Sequence, residues 1–266
     1  MTLSDQTPTR RVAIVTGAAQ GIGRAISLRL ATEGFEVALA DLSTSSDKLQ
    51  EVSRDIKKIG GRSVTIPTDV TVEAEVYALV SKTVEELGRL DVMVANAGIA
   101  PVCPFLEMKP ELLDKIFSVN VRGVFLCYQA AAKQMIKQGS GGRLIAACST
   151  SGLRTGPNVS GYCASKFAVR ALNQGAALEF GKYGITANVY CPTVVETDMW
   201  KNIDAEITSM QGIEAGTYTQ KRRDVNPLGR NATPEDIAGM VAFLASKDAS
   251  FVSGQAMQVT GGDWLS

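Results

Sequence analysis

The chain contains no histidine in its 266 residues. That absence removes the side chain most used for proton transfer near neutral pH, and the commonest metal ligand with it. Net charge is missing as well, since 27 Lys and Arg balance 27 Asp and Glu. Apart from Lys221-Arg222-Arg223, which reads as a solvated loop, no basic run occurs, and no nucleic-acid partner is expected. The five cysteines, Cys103, Cys127, Cys148, Cys163 and Cys191, are odd in number, widely spaced and without a C-x-x-C pair. They read as reduced core thiols, and no metal site is expected. No apolar stretch approaches the ~20 residues that span a bilayer. The first ten residues lack the apolar core of a secretory signal. The expectation is a soluble, cytoplasmic protein with no membrane partner.

What is present is alternation. Short β-branched or apolar runs at 11–16, 36–41, 64–67, 92–95, 143–148, 186–191 and 255–259 read as strands. Segments of helical period lie between them, including 21–33, 72–87, one long helix over 110–137, and a helix running to about 180. Residues 234–245 follow Thr233 as N-cap, with Pro234 in the first turn. All-apolar strands alternating with helices imply an α/β parallel sheet covered on both faces. No linker divides the chain, so 1–266 reads as a single domain. The polar stretch 194–230 interrupts the alternation. Its length marks it as functional, and Met199, Trp200, Ile203, Ile207 and Met210 predict a short amphipathic helix within it.

Two features carry chemistry. In SGYCASKFAVRAL, Tyr162 precedes Lys166 by one helical turn, which stacks a phenol beside an ammonium. A free phenol has a pKa near ~10. A neighbouring cation favours phenolate and is expected to bring that value toward the working range, so acid–base chemistry needs no histidine. The second feature is Gly17-Ala18-Ala19-Gln20-Gly21-Ile22-Gly23 between the first strand and first helix. Such a turn lets backbone N–H groups approach a pyrophosphate at the helix N-terminus. Asp41 ends the second strand, where a carboxylate can hold the ribose hydroxyls and repel a 2′-phosphate, favouring NAD over NADP. Capping of the adjacent loop is its other reading. Asp69-Val70 can reach the adenine or serve as turn chemistry, and Asn96-Ala97-Gly98 forms a close-approach turn after the fourth strand.

Together TGxxxGIG, Asn96-Ala97-Gly98, Asn120, Ser149 and Tyr162-x-x-x-Lys166 resemble the short-chain dehydrogenase/reductase family in order and spacing, over residues 10–264. The runs ACSTSG, YCASKFAVRAL, YCP and TDMW look most like its diacetyl/acetoin reductase (2,3-butanediol dehydrogenase) branch. The resemblance implies a single Rossmann-type doubly wound parallel sheet of about seven strands. It also implies NAD as cofactor and a small alcohol or ketone as substrate. By that resemblance Tyr162 exchanges the proton at the substrate oxygen. Lys166 lowers its pKa and binds the nicotinamide ribose, Ser149 bonds the same oxygen, and Asn120 kinks its helix and holds a relay water. Cofactor contacts are expected from Gly17, Gln20, Gly21, Ile22, Gly23, Asp41, Leu42, Asp69, Val70, Asn96, Ala97, Gly98, Tyr162, Lys166, Pro192, Val195 and Thr197. Substrate contacts are expected from Ser149, Ser151, Tyr162, Met199 and Trp200.

The chain departs from the family pattern in places. Thr193 stands where most members carry Gly, Ala95 where many have a second Asn, and Thr150-Ser151 where the acetoin branch tends to have Gln-Ala. A bulkier secondary alcohol therefore stays open as substrate, as does a nucleotide-binding regulator without catalysis. Residues 194–230 are expected to be the substrate lid. The family implies a homotetramer, with Ala130-Ala131-Ala132, Ala171, Ala176 and Ala177 as small residues suited to close helix contacts.

Overall fold

A computed structural model describes residues 10–265. Seven parallel strands, β1 (Val12–Thr16), β2 (Glu36–Asp41), β3 (Ser63–Pro67), β4 (Val92–Ala95), β5 (Gly142–Ala147), β6 (Ile185–Pro192) and β7 (Ala256–Val259), form one sheet in the order β3-β2-β1-β4-β5-β6-β7. The chain winds outward from β1 to β3, then returns to place β4 on the other side of β1, with Val15 opposite Val94. That reversal leaves a crevice at the carboxyl ends of β1 and β4, where ligands of open α/β sheets bind.

Helices cover both faces: α1 (Gly21–Thr32), α2 (Ser46–Lys58), α3 (Glu73–Leu87), α4 (Pro110–Phe117), α5 (Gly123–Gln138), α6 (Ser160–Phe180), α7 (Asp198–Gln211), α8 (Thr217–Asp224) and α9 (Pro234–Ala245). The strand period of two sorts the core into two layers. Val12 and Ile14 face α3 and α5, while Ala13 and Val15 face the α1 and α9 side. Around β6, Ile185, Ala187, Val189 and Cys191 enter the first layer and Tyr190 the second.

The long helix expected over 110–137 is broken. A single π turn, Ser118–Arg122, separates α4 from α5. Within it the buried Asn120 accepts from Ile99 N at 2.9 Å and donates to Ile99 O at 2.9 Å and Ser165 Oγ at 3.0 Å. A side chain that satisfies a neighbouring loop from inside a helix displaces the regular ladder, as π turns at functional sites do. Ala130, Ala131 and Ala132 are buried within the subunit rather than offered to another copy. The stretch 194–230 carries two helices, not one. Gly212 (φ +65°) ends α7 and Gly216 (φ +88°) opens α8. Asp204, buried in α7, accepts from Gly216 N at 2.5 Å and from Thr219 N at 2.7 Å, and so staples the two together.

Candidate active site

The crevice at the β1/β4 switch is a cavity of about 1660 Å³. One end is built on the start of α1. Gln20 precedes that helix in extended conformation without capping it, and its first turn holds no acidic residue. Its leading N–H groups therefore lack a side-chain acceptor, which is the donor set an anion takes. The turn closes tightly: a Cβ on Gly23 would lie 2.0 Å from Gly17 O, and Gly17 itself adopts φ +66°. Asn96 locks this turn to the next one. Its Nδ2 donates to Thr16 O at 2.8 Å and Gly17 O at 3.2 Å, while its Oδ1 accepts from Tyr190 Oη at 2.8 Å. Thr16 Oγ1 accepts from Asn96 N and Ala97 N at 3.0 and 3.1 Å.

Asp41 caps the adjacent loop and also faces the cavity. Its two oxygens accept from Ala19 N at 3.1 Å and Leu42 N at 2.8 Å, and the side chain still lines the cavity. Each carboxylate oxygen has a second lone pair to offer a hydroxyl. Asp69, by contrast, spends one oxygen on Thr71 N and Oγ1, both at 2.8 Å, as turn chemistry. A cation also reaches this end. Lys48 in α2 donates to Gln20 Oε1 at 2.8 Å, an approach across 28 residues that no local pattern announces. An uncapped helix start, a closed glycine turn and a carboxylate at the end of β2 fit the pyrophosphate and ribose of a dinucleotide.

At the other end Ser149, Tyr162 and Lys166 line the same cavity. Ser149 caps the turn Thr150–Gly152 by accepting from Ser151 N at 3.1 Å, and lies at the end of β5 facing α6. Lys166 is 3% exposed and donates to Ala147 O at 2.8 Å. Its ammonium lies 5.6 Å from the centre of the Tyr162 ring. The expected lowering of the phenol is not what the site produces. Burial is the largest influence and pushes the Tyr162 phenol up, with a hydrogen bond to Ser149 pulling partly against it. Burial likewise holds the Lys166 ammonium down, to about 8. Helical spacing sets the two groups side by side, but packing of α6 against the sheet sets their proton affinities.

Every expected site residue lines the cavity except Asn120. Asn120 lies behind the wall, holding the Ile99 backbone and Ser165. Met199, Trp200, Ile203 and Ile207 of α7 form part of the wall. Met210 is nearly half exposed and has its sulfur 4.0 Å from Asn158 Nδ2, while Gln211 takes the wall position. Trp200 stacks on Tyr218 and donates from Nε1 to Thr219 Oγ1 at 2.8 Å, which fixes it within the α7–α8 pair.

Several wall residues carry no local sequence signal. Tyr190 is buried in β6 and reaches Asn96 from across the sheet. Arg154 stacks on Trp264 at 3.9 Å. Thr193, the residue in place of the usual Gly, donates to Asp263 Oδ2 at 2.5 Å, and the same carboxylate pairs with Arg222 of α8. Only the conspicuous Thr193 substitution could have pointed to this clasp.

With this geometry the comparisons with known proteins agree. A family model described as Enoyl-(Acyl carrier protein) reductase matches residues 17–263. A short-chain dehydrogenase/reductase of Armillaria gallica is 50% identical over 252 residues, covering 95% of each chain. The L-2,3-butanediol dehydrogenase of Corynebacterium glutamicum is 42% identical, covering 95% of this chain and 98% of its own. Among solved structures, levodione reductase superposes with a TM-score of 0.88 at 36% identity, covering 95% and 96% of the two chains. An oxidoreductase, the chain belongs to the short-chain dehydrogenase/reductase family, whose dehydrogenases use NAD(P).

Proposed function

We propose that the cavity holds NAD(H) and interconverts a secondary alcohol and a ketone, with a small acyloin or vicinal diketone such as acetoin or diacetyl as substrate. One observation carries the reading: Ser149, Tyr162 and Lys166 share a cavity with the uncapped start of α1 and the carboxylate of Asp41. The dinucleotide, when bound, supplies or takes up the hydride at the substrate carbon. The protein contributes placement and proton management.

In the reducing direction Tyr162 gives its proton to the carbonyl oxygen. Burial keeps the phenol protonated at neutral pH, so the proton to be given is in place. Ser149 holds the same substrate oxygen and favours the phenolate that donation leaves behind. Lys166, with its proton affinity held down to about 8, stands poised to pass a proton inward along the α6 face. Asn120 acts through the Ile99 backbone and Ser165, fixing the loop that closes over Lys166. Gly98 belongs to that closure, since a Cβ there would lie 3.2 Å from Asn120 Oδ1 and 3.6 Å from Lys166 Nζ. Pro192, Val195 and Thr197 wall the nicotinamide side. Met199 and Trp200, on the lid over 194–230, shape the substrate side.

The butanediol dehydrogenase relative supports the acyloin class, and the intact acid–base set supports turnover rather than regulation. The test is loss of NADH absorbance with diacetyl, acetoin and a cyclic ketone, repeated with NADPH. Turnover of diacetyl and acetoin with NADH well above that of the cyclic ketone is expected. Preference for the cyclic ketone would replace the substrate class, and no turnover with any of the three would overturn the reading.

A further inference from the structure

Two thiols meet behind Ser149. Cys148 N donates to Tyr190 O at 2.9 Å, which continues the β5–β6 ladder one step beyond the Ala147–Tyr190 pair and sets Cys148 opposite Cys191. Directly paired residues on neighbouring strands send their side chains to the same face, and both cysteines lie in the same core layer. Neighbouring strands run ~4.7–4.9 Å apart, inside the Cα separation a disulfide accepts. The two positions adjoin the reacting groups. Cys148 precedes Ser149, Cys191 precedes Pro192, and the Cys148 thiol also donates to Lys166 O at 3.4 Å. Cys148 lines the cavity, so a small solute reaches it, whereas Cys191 stands behind.

We propose that Cys148 and Cys191 form a peroxide-sensitive dithiol that closes to a disulfide and halts turnover at the adjoining Ser149. The Cys148 thiolate attacks one oxygen of hydrogen peroxide. An S–O bond forms as the O–O bond breaks, leaving a sulfenic acid and, with the thiol's proton, one water. The Cys191 sulfur then attacks the sulfenic sulfur. The S–S bond forms, the S–O bond breaks, and the hydroxyl leaves with the Cys191 proton as a second water. Two thiols lose two electrons and one peroxide gains them.

The surroundings assign the roles. The neighbouring Cys191 thiol, joined by the Lys166 ammonium, holds the Cys148 thiol below its ordinary value and supplies the nucleophile. The neighbouring Cys148, together with burial, pushes Cys191 up, so it keeps the proton the second step releases. Cys127, by contrast, is pushed up to about 12 by burial alone and serves as an internal control. Closing the bond takes the Cys148 sulfur from the Ser149 and Lys166 carbonyls and so shifts the turn that carries Ser149. Misplacement of a reacting group by ~1 Å can cost on the order of 10²-fold in rate.

The effect on turnover rests on the role proposed for Ser149 and Tyr162; the bond itself does not. Reduced protein is treated with stoichiometric hydrogen peroxide, alkylated, and digested without reductant for mass spectrometry. The expected product joins the Cys148 and Cys191 peptides at two hydrogen masses below their sum, with Cys127 still alkylated. NADH-dependent turnover should fall at least tenfold, recover with dithiothreitol, and be protected by prior addition of NADH. Cys191→Ser should turn over when reduced and give no joined peptide. The wild-type mapping decides the matter even if that variant fails to fold. Absence of the joined peptide, or its formation with turnover unchanged, overturns the dithiol. A reduced enzyme that never turns over overturns the proposed function instead, while the peptide mass still decides the dithiol.

Discussion

At the scale of single residues, the phenol of Tyr162 is governed by two opposed influences, and burial outweighs its hydrogen bond to Ser149. A phenol raised in this way keeps its proton at neutral pH and gives it up only with the help of Ser149, so its removal should abolish proton transfer without touching the α1 end of the cavity. Tyr162→Phe should lower kcat by ~10²–10⁴-fold, the usual contribution of a general acid–base group, with NADH affinity by fluorescence titration nearly unchanged. Wild-type kcat in this variant would remove Tyr162 from the reaction. Lys166 predicts a pH dependence. Burial depresses its proton affinity to about 8, so the ammonium is intact below that pH and lost as pH rises through it. Alcohol oxidation, which must shed a proton, should gain kcat/KM across that range, and carbonyl reduction should lose it. A profile flat between about 7 and 9 in both directions would separate Lys166 from the proton path. Asp41 predicts cofactor choice: kcat/KM should favour NADH over NADPH, and Asp41→Ala should narrow the gap. Lys48 sharpens that test, because its ammonium already stands at Gln20 to greet a 2′-phosphate once the carboxylate is gone. Equal use of both cofactors by the wild type would show that Asp41 serves only to cap the loop.

Elements differ in how far their sequence announces them. The strands were legible because both faces of a parallel sheet are buried, and continuous apolar runs such as VAIVT have no other use. The Tyr162–Lys166 pairing was legible because helical period is local. The break at Asn120 was expected from the family resemblance and not from helical period, since Asn120 departs from the helix for Ile99, 21 residues back, and Ser165, 45 ahead. The proton affinities were misjudged for a like reason: the spacing of two residues says nothing of what packs over them. The stretch 194–230 was half legible. Its apolar stripe marked α7, but Asp204, which stitches α8 to α7, reads in the sequence as an ordinary surface acid. The least visible device is the clasp of Thr193, Asp263 and Arg222, which joins the loop after β6, the C-terminal turn and α8. Asp263 is 6% exposed and Arg222 24%, so removing the carboxylate strands a partly buried cation. Asp263→Asn should cost about 1–3 kcal/mol of stability. It should also raise KM for the ketone more than Kd for NADH, because α8 carries Tyr218 beneath Trp200. Hydrogen exchange should quicken in α8 and not in β4. Unchanged exchange in α8 would reduce the clasp to a surface contact.

For the molecule as a whole, the apolar surface argues for assembly. The alanines of α5 are spent inside the subunit, but α5 and α6 leave a different stripe outside. Phe125, Phe167 and Leu178 are 44%, 40% and 86% exposed, with Ala164 and Ala171 open between them on α6. Positions 164, 167, 171 and 178 recur at helical spacing, so they form one face rather than scattered points. Large apolar side chains gathered on a face mark an interaction surface. A face presented by two neighbouring helices suits a symmetric contact with a second copy, where a residue of one copy meets a second residue of the other and the converse contact repeats across the two-fold axis. A stable contact of that kind covers about 800 Å² on each partner, which a pair of helices of 16 and 21 residues is long enough to supply. Phe251 and Leu265, fully and 82% exposed beside the C-terminal strand, offer a second such surface, and two different two-fold contacts close a tetramer. Light scattering at micromolar concentration should therefore give about four times the 28.2 kDa of the chain. Leu178→Asp should split the assembly to half that mass while each subunit keeps its far-ultraviolet circular dichroism, because the residue contributes nothing to the subunit core. A wild-type mass of one chain would mean that this stripe meets only water, and its apolar character would then need another partner.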